Sequence, residues 1–293
     1  PAGVTGSPVA NQNPLLDDIL RVTSLTFAHM NGVQTLEQYF VTNGQRPFAL
    51  QLYLNLGTYY EDKHRFHDTA QTFNATVEAF PDDPDAPIYQ SRVVSAYIDG
   101  GFPSRAGPAR EDFISRFGVD SRYWKNSNES GKNVIRGLLA TYLIDLAKRD
   151  HALGQNSNEP ATKQASFNKA IGWYNQFLSA LPGDIQIPEV LFLKAEALTE
   201  LGQHEQAAEH YQIVAYQHPE HTRAAESGYA ALLSFQALYQ AGERADFWLD
   251  KGITESQRFS RAFPDSIYTA RLHTKLAEDL LIQNSYAAAI DAV

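Results

Sequence analysis

A residue pattern that returns along the chain is the feature that most constrains its fold. In the clearest copy, a bulky residue, a Leu-Gly pair and a tyrosine precede a small residue, an aromatic residue and a closing proline. These positions are Tyr53, Leu56, Gly57, Tyr60, Ala70, Phe73 and Pro81. A second copy over 188–221 keeps the same order of residue types and ends at Pro219. A stack of similar structural units gives a chain a physical reason to repeat such residues in one frame.

Hydrophobic periodicity predicts that each copy consists of two helices. Apolar residues recur every three or four positions, as on one face of an α-helix, and no long segment alternates as a strand does. The helical stretches are 48–60, 68–80, 88–99, 132–149, 165–180, 188–201 and 205–217. Prolines interrupt them, and proline ends helices because it lacks an N–H donor. The sequence therefore predicts an all-α fold, an α-α superhelix of antiparallel helix pairs.

This pattern resembles the tetratricopeptide repeat, a helix–turn–helix unit of about 34 residues. The resemblance covers most of 48–293 and implies a solenoid that binds other proteins. Small residues at Gly57, Ala195 and Ala277 are expected to let the first helix of a pair approach its neighbour closely. The copy around Gly101 is weaker, because it ends without a proline.

Some segments stand outside the repeat frame. Residues 118–131 and 150–164 are polar and are predicted to be loops, the second between the two helices of one pair. Trp124 lies in the first loop, where it either anchors a partner or folds back onto the solenoid.

The predicted organisation has two parts. Residues 1–46 comprise a polar segment and a helix pair that is a cap or a degenerate repeat, and 47–293 comprise the repeats. The last repeat, from Leu276, stops at Val293 in the middle of a helical pattern. We therefore expect the chain to be a piece of a longer protein.

Composition excludes several classes of function. The net charge of −10, from 34 acidic and 24 basic residues, disfavours binding to nucleic acid. Cysteine is absent, so disulfides, thiol catalysis and cysteine-bound zinc are excluded. No apolar run approaches the roughly 20 residues that span a bilayer, so membrane insertion of this segment is not expected.

Chemical motifs are weak, and we expect neither an enzyme nor a cofactor. The histidine groups His64/His67, His204/His210 and His218/His221 do not supply the three or four convergent ligands that zinc needs. The acidic run 82–85 lacks the glycine and the trailing glutamate of a calcium loop. Ser166 and Lys169 have the spacing of a penicillin-recognising enzyme without its companion motifs.

In a tetratricopeptide solenoid the first helix of each pair lines the concave surface. The repeat frame places these residues there: Gln51, Thr58, Glu61, Ser91, Ser95, Glu189, Glu196, Thr199, Glu200, Arg271, Thr274 and Glu278. The family's carboxylate clamp needs Lys and Asn where this frame has Leu54 and Thr58, so the clamp is missing. The expected function is a scaffold whose groove, acidic in its C-terminal half, binds a polar or basic segment of a partner protein.

The alternative is a structural spacer or self-association module, with a homodimer through the last repeat as one form. The proline links at Phe80-Pro81 and Phe263-Pro264 resemble those of bacterial envelope tetratricopeptide proteins, of the outer-membrane assembly lipoprotein and periplasmic division-coordinator type. This resemblance implies a periplasmic or outer-membrane-associated protein, with a cytoplasmic protein as the alternative.

Overall fold

The computed structural model describes residues 14–291. These residues form two compact units, up to Leu138 and from Leu139. The helices that begin in the first unit are α1 (Pro14–His29), α2 (Val33–Asn43), α3 (Ala49–Asp62), α4 (Phe66–Ala79), α5 (Ala86–Asp99), α6 (Pro103–Phe117), α7 (Arg122–Asn126) and α8 (Glu129–Asn156). The others are α9 (Pro160–Ala180), α10 (Ile187–Glu200), α11 (His204–Gln217), α12 (Ala224–Gln240), α13 (Ala245–Ala262), α14 (Thr269–Ile282) and α15 (Tyr286–Asp291).

The predicted fold class, an all-α superhelix of consecutive helix pairs, is confirmed. No strand occurs within 14–291. The N-terminal helix pair is present as α1 and α2, while the polar segment before it lies outside the described residues. The proposed boundary at residue 46 stays a prediction, since the compact units divide instead after Leu138.

Both predicted loops are largely helical, so that interpretation was wrong. Residues 118–131 contain α7 and the start of α8, and 150–164 contain the end of α8 and the start of α9. The break between α8 and α9 is only 157–159, and Pro160 opens α9 at a position where its missing N–H costs nothing. The extra residues therefore lengthen a helix pair rather than form an insertion.

The turn inside a helix pair has the same form in four pairs. Its central residue has a left-handed backbone: His64 (φ 53°), Gly101 (φ 71°), Gly202 (φ 72°) and Asn284 (φ 59°). The N–H of the next residue then donates to a carbonyl of the first helix, at 2.8 to 2.9 Å in each case. Glycine adopts this conformation without strain, and Asn and His tolerate it better than most residues.

The link between pairs is also repeated, and a proline defines it. The residue after each of four helices has nearly the same angles, φ from −133° to −130° and ψ from 55° to 60°; these residues are Phe80, Leu181, His218 and Phe263. Proline follows each of them and disfavours the helical conformation in the residue before it. Three positions after each of these residues, a polar side chain accepts a hydrogen bond from the backbone N–H two positions later. These acceptors are Asp83, Asp184, His221 and Ser266.

Two helix pairs approach closely where a glycine faces a phenylalanine ring. A Cβ atom on Gly57 would lie 2.7 Å from the Phe73 ring, and one on Gly228 would lie 2.8 Å from the Phe259 ring. Both rings are fully buried. The close approach expected at Gly57 is therefore present, and α12 and α13 repeat it.

No helix within the described part of the chain is both long and apolar enough to span a bilayer.

The left-handed turns make a testable prediction about Gly202. Its replacement by alanine should lower the free energy of unfolding by about 1 kcal/mol, because a Cβ atom is strained in this conformation. No atom lies within 4 Å of the new Cβ, so only backbone strain contributes. Gly183→Ala is the matched control, since Gly183 also faces open space but has no positive φ. Urea unfolding followed by circular dichroism measures both, and equal losses would contradict the interpretation.

Candidate functional site

The predicted acidic residues of α10 come together with a carboxylate of α12. Glu189, Glu196 and Glu200 follow one another on the side of α10 opposite its buried Leu191 and Leu198. Glu226 in the first turn of α12 acts electrostatically on Glu196, as do the two other glutamates. We call these four residues, Glu189, Glu196, Glu200 and Glu226, the acidic face.

Glu196 has the most perturbed environment on the acidic face. Burial raises the pKa of its carboxyl above the usual range, and the neighbouring glutamates raise it further, while Arg223 opposes both effects. Burial also raises the pKa of the Tyr211 hydroxyl to about 12, and Glu196 adds to that shift. A buried negative charge beside others of the same sign is favourable only with a compensating cation.

Two cations lie at the edges of the acidic face. Lys163 of α9 pairs with Glu200 at 2.6 Å. Arg223, just before α12, lies 3.9 Å from Glu189, and its guanidinium stacks 4.3 Å from the centre of the Phe192 ring. His221 Nε2 also lies 3.7 Å from Glu189. The four carboxylates outnumber the two permanent cations by two. Thr199, also predicted for this surface, donates its hydroxyl to the Ala195 carbonyl at 2.9 Å.

A groove in the first unit contains three other predicted residues. It encloses about 890 Å³ between α1, α3, α5 and the start of α8, and Gln51, Thr58 and Glu61 line it from α3. Arg92 of α5 donates to Thr58 Oγ1 at 3.1 Å, pairs with Glu61 and lies 3.9 Å from the centre of the Phe73 ring. Gln51 donates to Asn55 at 2.8 Å. The polar side chains of this groove largely satisfy one another.

The remaining predicted residues lie apart from both surfaces. Ser91 donates to the Ile88 carbonyl at 2.7 Å, and Ser95 is exposed on the same helix. Arg271 lines a cavity between α12, α13 and α14. Glu278 and Thr274 are exposed on α14. The predicted positions of the second unit are therefore divided between α10 and α14, and the role of all twelve positions in binding stays a prediction.

Trp124 folds back onto the first unit. Its ring lies 5.3 Å from the Arg136 guanidinium and 5.9 Å from the Lys132 ammonium, both on α8. The residues before it tie α7 to the α4–α5 link: Arg122 pairs with Asp82, and the Tyr123 hydroxyl donates to the Asp83 carbonyl at 2.9 Å. Of the two interpretations of Trp124, the structure supports the second, in which the ring folds back onto the helices.

Sequence reasoning missed Arg92, Glu226 and Lys163. Lys163 lies in the segment 150–164, whose polar composition predicts a loop, and Glu226 lies on a helix without the Leu-Gly signature. Gly228 could have placed that helix in the repeat frame, because it occupies the same position against Phe259 that Gly57 has against Phe73. For Arg92 no signal existed, since its partners Thr58 and Glu61 come from another helix pair.

The histidines are packed or solvated side chains. Within 14–291 no group of three or more His, Asp or Glu residues is arranged to hold a metal ion. His151 is buried, with Nδ1 3.2 Å from the Tyr174 hydroxyl and its ring against Phe167. Burial and the nearby Lys194 lower the pKa of His210 to about 4.

Comparison with known proteins finds likeness at the level of fold. No family model matches the chain, and no curated protein does. Among solved structures, MamA from Desulfovibrio magneticus RS-1 is 16% identical with a TM-score of 0.36, covering 70% of this chain and 90% of that one. A putative kinesin light chain with TPR-like repeats from Podosopora anserina is 15% identical with a TM-score of 0.35, covering 74% and 99%. The P58(IPK) TPR domain is 16% identical with a TM-score of 0.31, covering 83% and 71%.

Identities and TM-scores this low say nothing about what the chain binds.

The half-buried His210 predicts acid sensitivity. Its pKa in the folded protein, about 4, lies below the ordinary value of 6.5, so the unfolded state binds the proton first. Stability should therefore be complete above pH 6.5 and fall as the pH drops from 6.5 toward about 4. His210→Asn should lose less stability over this range, as measured by thermal unfolding across the pH series. His218→Asn, in a link, is the control and should behave as the wild type does; equal acid sensitivity of all three proteins would contradict the assignment.

Proposed function

We propose that this chain is a non-catalytic scaffold for protein–protein interaction, and that its acidic face binds a polar or basic segment of a partner. The observation that carries the proposal is Glu196, a half-buried carboxylate among three others. A cation from a partner would favour its charged form and reduce the repulsion around it.

The energetics favour a segment with several cations rather than one. Each exposed ion pair contributes about 0.2–1 kcal/mol, so affinity has to be built from several contacts along the helix. The glutamates of α10 lie at positions 189, 196 and 200, and they can meet successive side chains of an extended or helical segment. The partially buried Glu196 sits between the other two and adds more than a fully exposed pair would.

A second function, self-association, is favoured by a different observation. The last two described helices expose large apolar side chains, at Leu281, Ile282, Tyr286 and Ile290. Apolar surface at one end of a helical stack tends to be covered by another copy or by further chain. Sedimentation at increasing concentration distinguishes this role, because a homodimer doubles the mass.

We also propose a bacterial envelope setting, periplasmic or outer-membrane-associated. Its support is the proline link, which recurs with one backbone geometry at four places in the chain. Fractionation of cells that express the full reading frame tests this proposal, and recovery in the cytoplasm alone would contradict it.

Charge reversal on α10 tests the binding proposal. The double variant Glu196→Lys/Glu200→Lys should bind a short labelled peptide of alternating lysine and alanine more weakly than wild type does. At about 0.2–1 kcal/mol for each lost pair, the affinity should fall roughly two- to thirtyfold, with a smaller dependence on salt. Fluorescence anisotropy at several salt concentrations measures both quantities.

The matched control carries the same change in charge elsewhere. Glu205→Lys/Glu243→Lys replaces exposed residues that do not belong to the acidic face, one on α11 and one in the α12–α13 turn. It should keep most of the binding. Equal losses in the two double variants would show that net charge, not the acidic face, attracts the peptide. Glu196→Gln supplies a milder substitution, and its folding should not suffer because it removes a destabilised charge.

A further inference from the structure

A cavity of the second unit lies beside a helical glycine. It encloses about 200 Å³ between α12, α13 and α14, with Leu232, Tyr239, Trp248 and Leu272 among its walls. Gly252 lies at its edge in the middle of α13, and a Cβ atom there would meet no atom within 4 Å. Glycine inside a helix costs about 1 kcal/mol relative to alanine.

Two other helical glycines of this unit have a packing reason, whereas Gly172 of α9 also faces open space. Gly154 and Gly228 each face a phenylalanine ring, which would lie 3.0 Å and 2.8 Å from an added Cβ atom. Gly252 has no such neighbour. The space that a side chain at position 252 would occupy is open and apolar, and Trp248 lies beside it.

The size of this space fits one side chain. An engineered protein cavity of about 150 Å³ with apolar walls holds a benzene molecule. A cavity of about 200 Å³ can therefore accept a phenyl or isobutyl group. Its aromatic walls favour an aromatic ring, because ring pairs gain from offset or edge contacts.

The rim of the cavity is cationic, unlike the acidic face. Arg271 and Lys275 of α14 both line it. Lys275 pairs with Asp279 at 2.5 Å, whereas Arg271 is exposed and has no ion pair within the described residues. One uncompensated guanidinium beside an apolar opening complements a carboxylate adjacent to an apolar group.

We propose that this cavity is the anchor site for an aromatic side chain of a partner protein, followed in the partner by an acidic residue that pairs with Arg271. The inference deepens the proposed scaffold function and rests on it. It adds that the partner segment carries an aromatic–acidic pair as well as its basic residues. The acidic face and the cavity both lie in the second unit, and they bind partner side chains of opposite charge.

Filling the cavity tests the proposal without risk to the fold. Gly252→Leu places a side chain in the open space and raises helix propensity, so its thermal stability should equal or exceed that of wild type. The probe is the blocked dipeptide acetyl-Phe-Glu-amide, followed through the indole N–H resonance of Trp248 in NMR titrations. Binding should weaken roughly tenfold or more in Gly252→Leu, since burial of the ring is lost. Gly172→Leu, on α9 and also facing open space, is the control and should bind as wild type does.

The charge of the rim is tested separately. Arg271→Gln should weaken acetyl-Phe-Glu-amide but leave acetyl-Phe-Gln-amide unchanged. Equal binding of both dipeptides to wild type would overturn the assigned ion pair. Unchanged binding in Gly252→Leu would overturn the cavity as the anchor site.

Two other occupants give distinct results that would each overturn the proposal. A second copy of the chain would appear as a dimer in sedimentation that Gly252→Leu dissociates. A free aromatic acid would appear as tighter binding of 3-phenylpropionate than of the dipeptide. The lysine–alanine peptide serves as an internal reference for the acidic face. Its binding should be lost in Glu196→Lys/Glu200→Lys but kept in Gly252→Leu. A result against the cavity proposal can then be told apart from a result against the acidic-face proposal.

Discussion

The close contact of a bare backbone with an aromatic ring is the constraint on which the rest of this structure depends. At Gly57 and Gly228 one helix of a pair lies so near the Phe73 or Phe259 ring that a methyl group would not fit. That approach fixes how each helix is rotated about its axis, since the glycine must face inward. The opposite side of the same helices is then free for polar residues. The position of a side chain on the surface is set by what its helix buries.

Turns and links reinforce this constraint because they recur with one geometry. A left-handed residue follows the first helix of a pair, and a proline follows the second, with a polar side chain nearby that accepts a backbone hydrogen bond. Each satisfies backbone groups that a helix end leaves unpaired. The chain therefore leaves one helix and enters the next at fixed angles. Successive helices present their polar faces in register within a unit, which is how Glu226 of α12 comes to lie near Glu196 of α10.

The fold was largely predictable because the repeats carry their own stop signals, such as Pro81 and Pro219. The segment 150–164 was not, because its polar composition conceals a helix that is held by tertiary contacts, Gly154 against Phe167 among them. Along one helix the repeat frame could place Glu189, Glu196 and Glu200. The residues that interact with these glutamates lie on other helices, and no pattern within α10 predicts them. A cavity is still harder to predict from the sequence, since a glycine does not reveal whether its neighbours fill the space beside it.

The main helix contacts of the second unit join helices that are consecutive in the chain, from α9 with α10 through to α14 with α15. No strand in the described part of this unit ties distant parts of the sequence together. Tension applied along the chain would therefore meet a series of small barriers, one for each helix pair, instead of one large barrier. We expect the unit to unfold and refold one helix pair at a time under tension. Each glycine–phenylalanine contact should contribute to the unfolding barrier of its own helix pair.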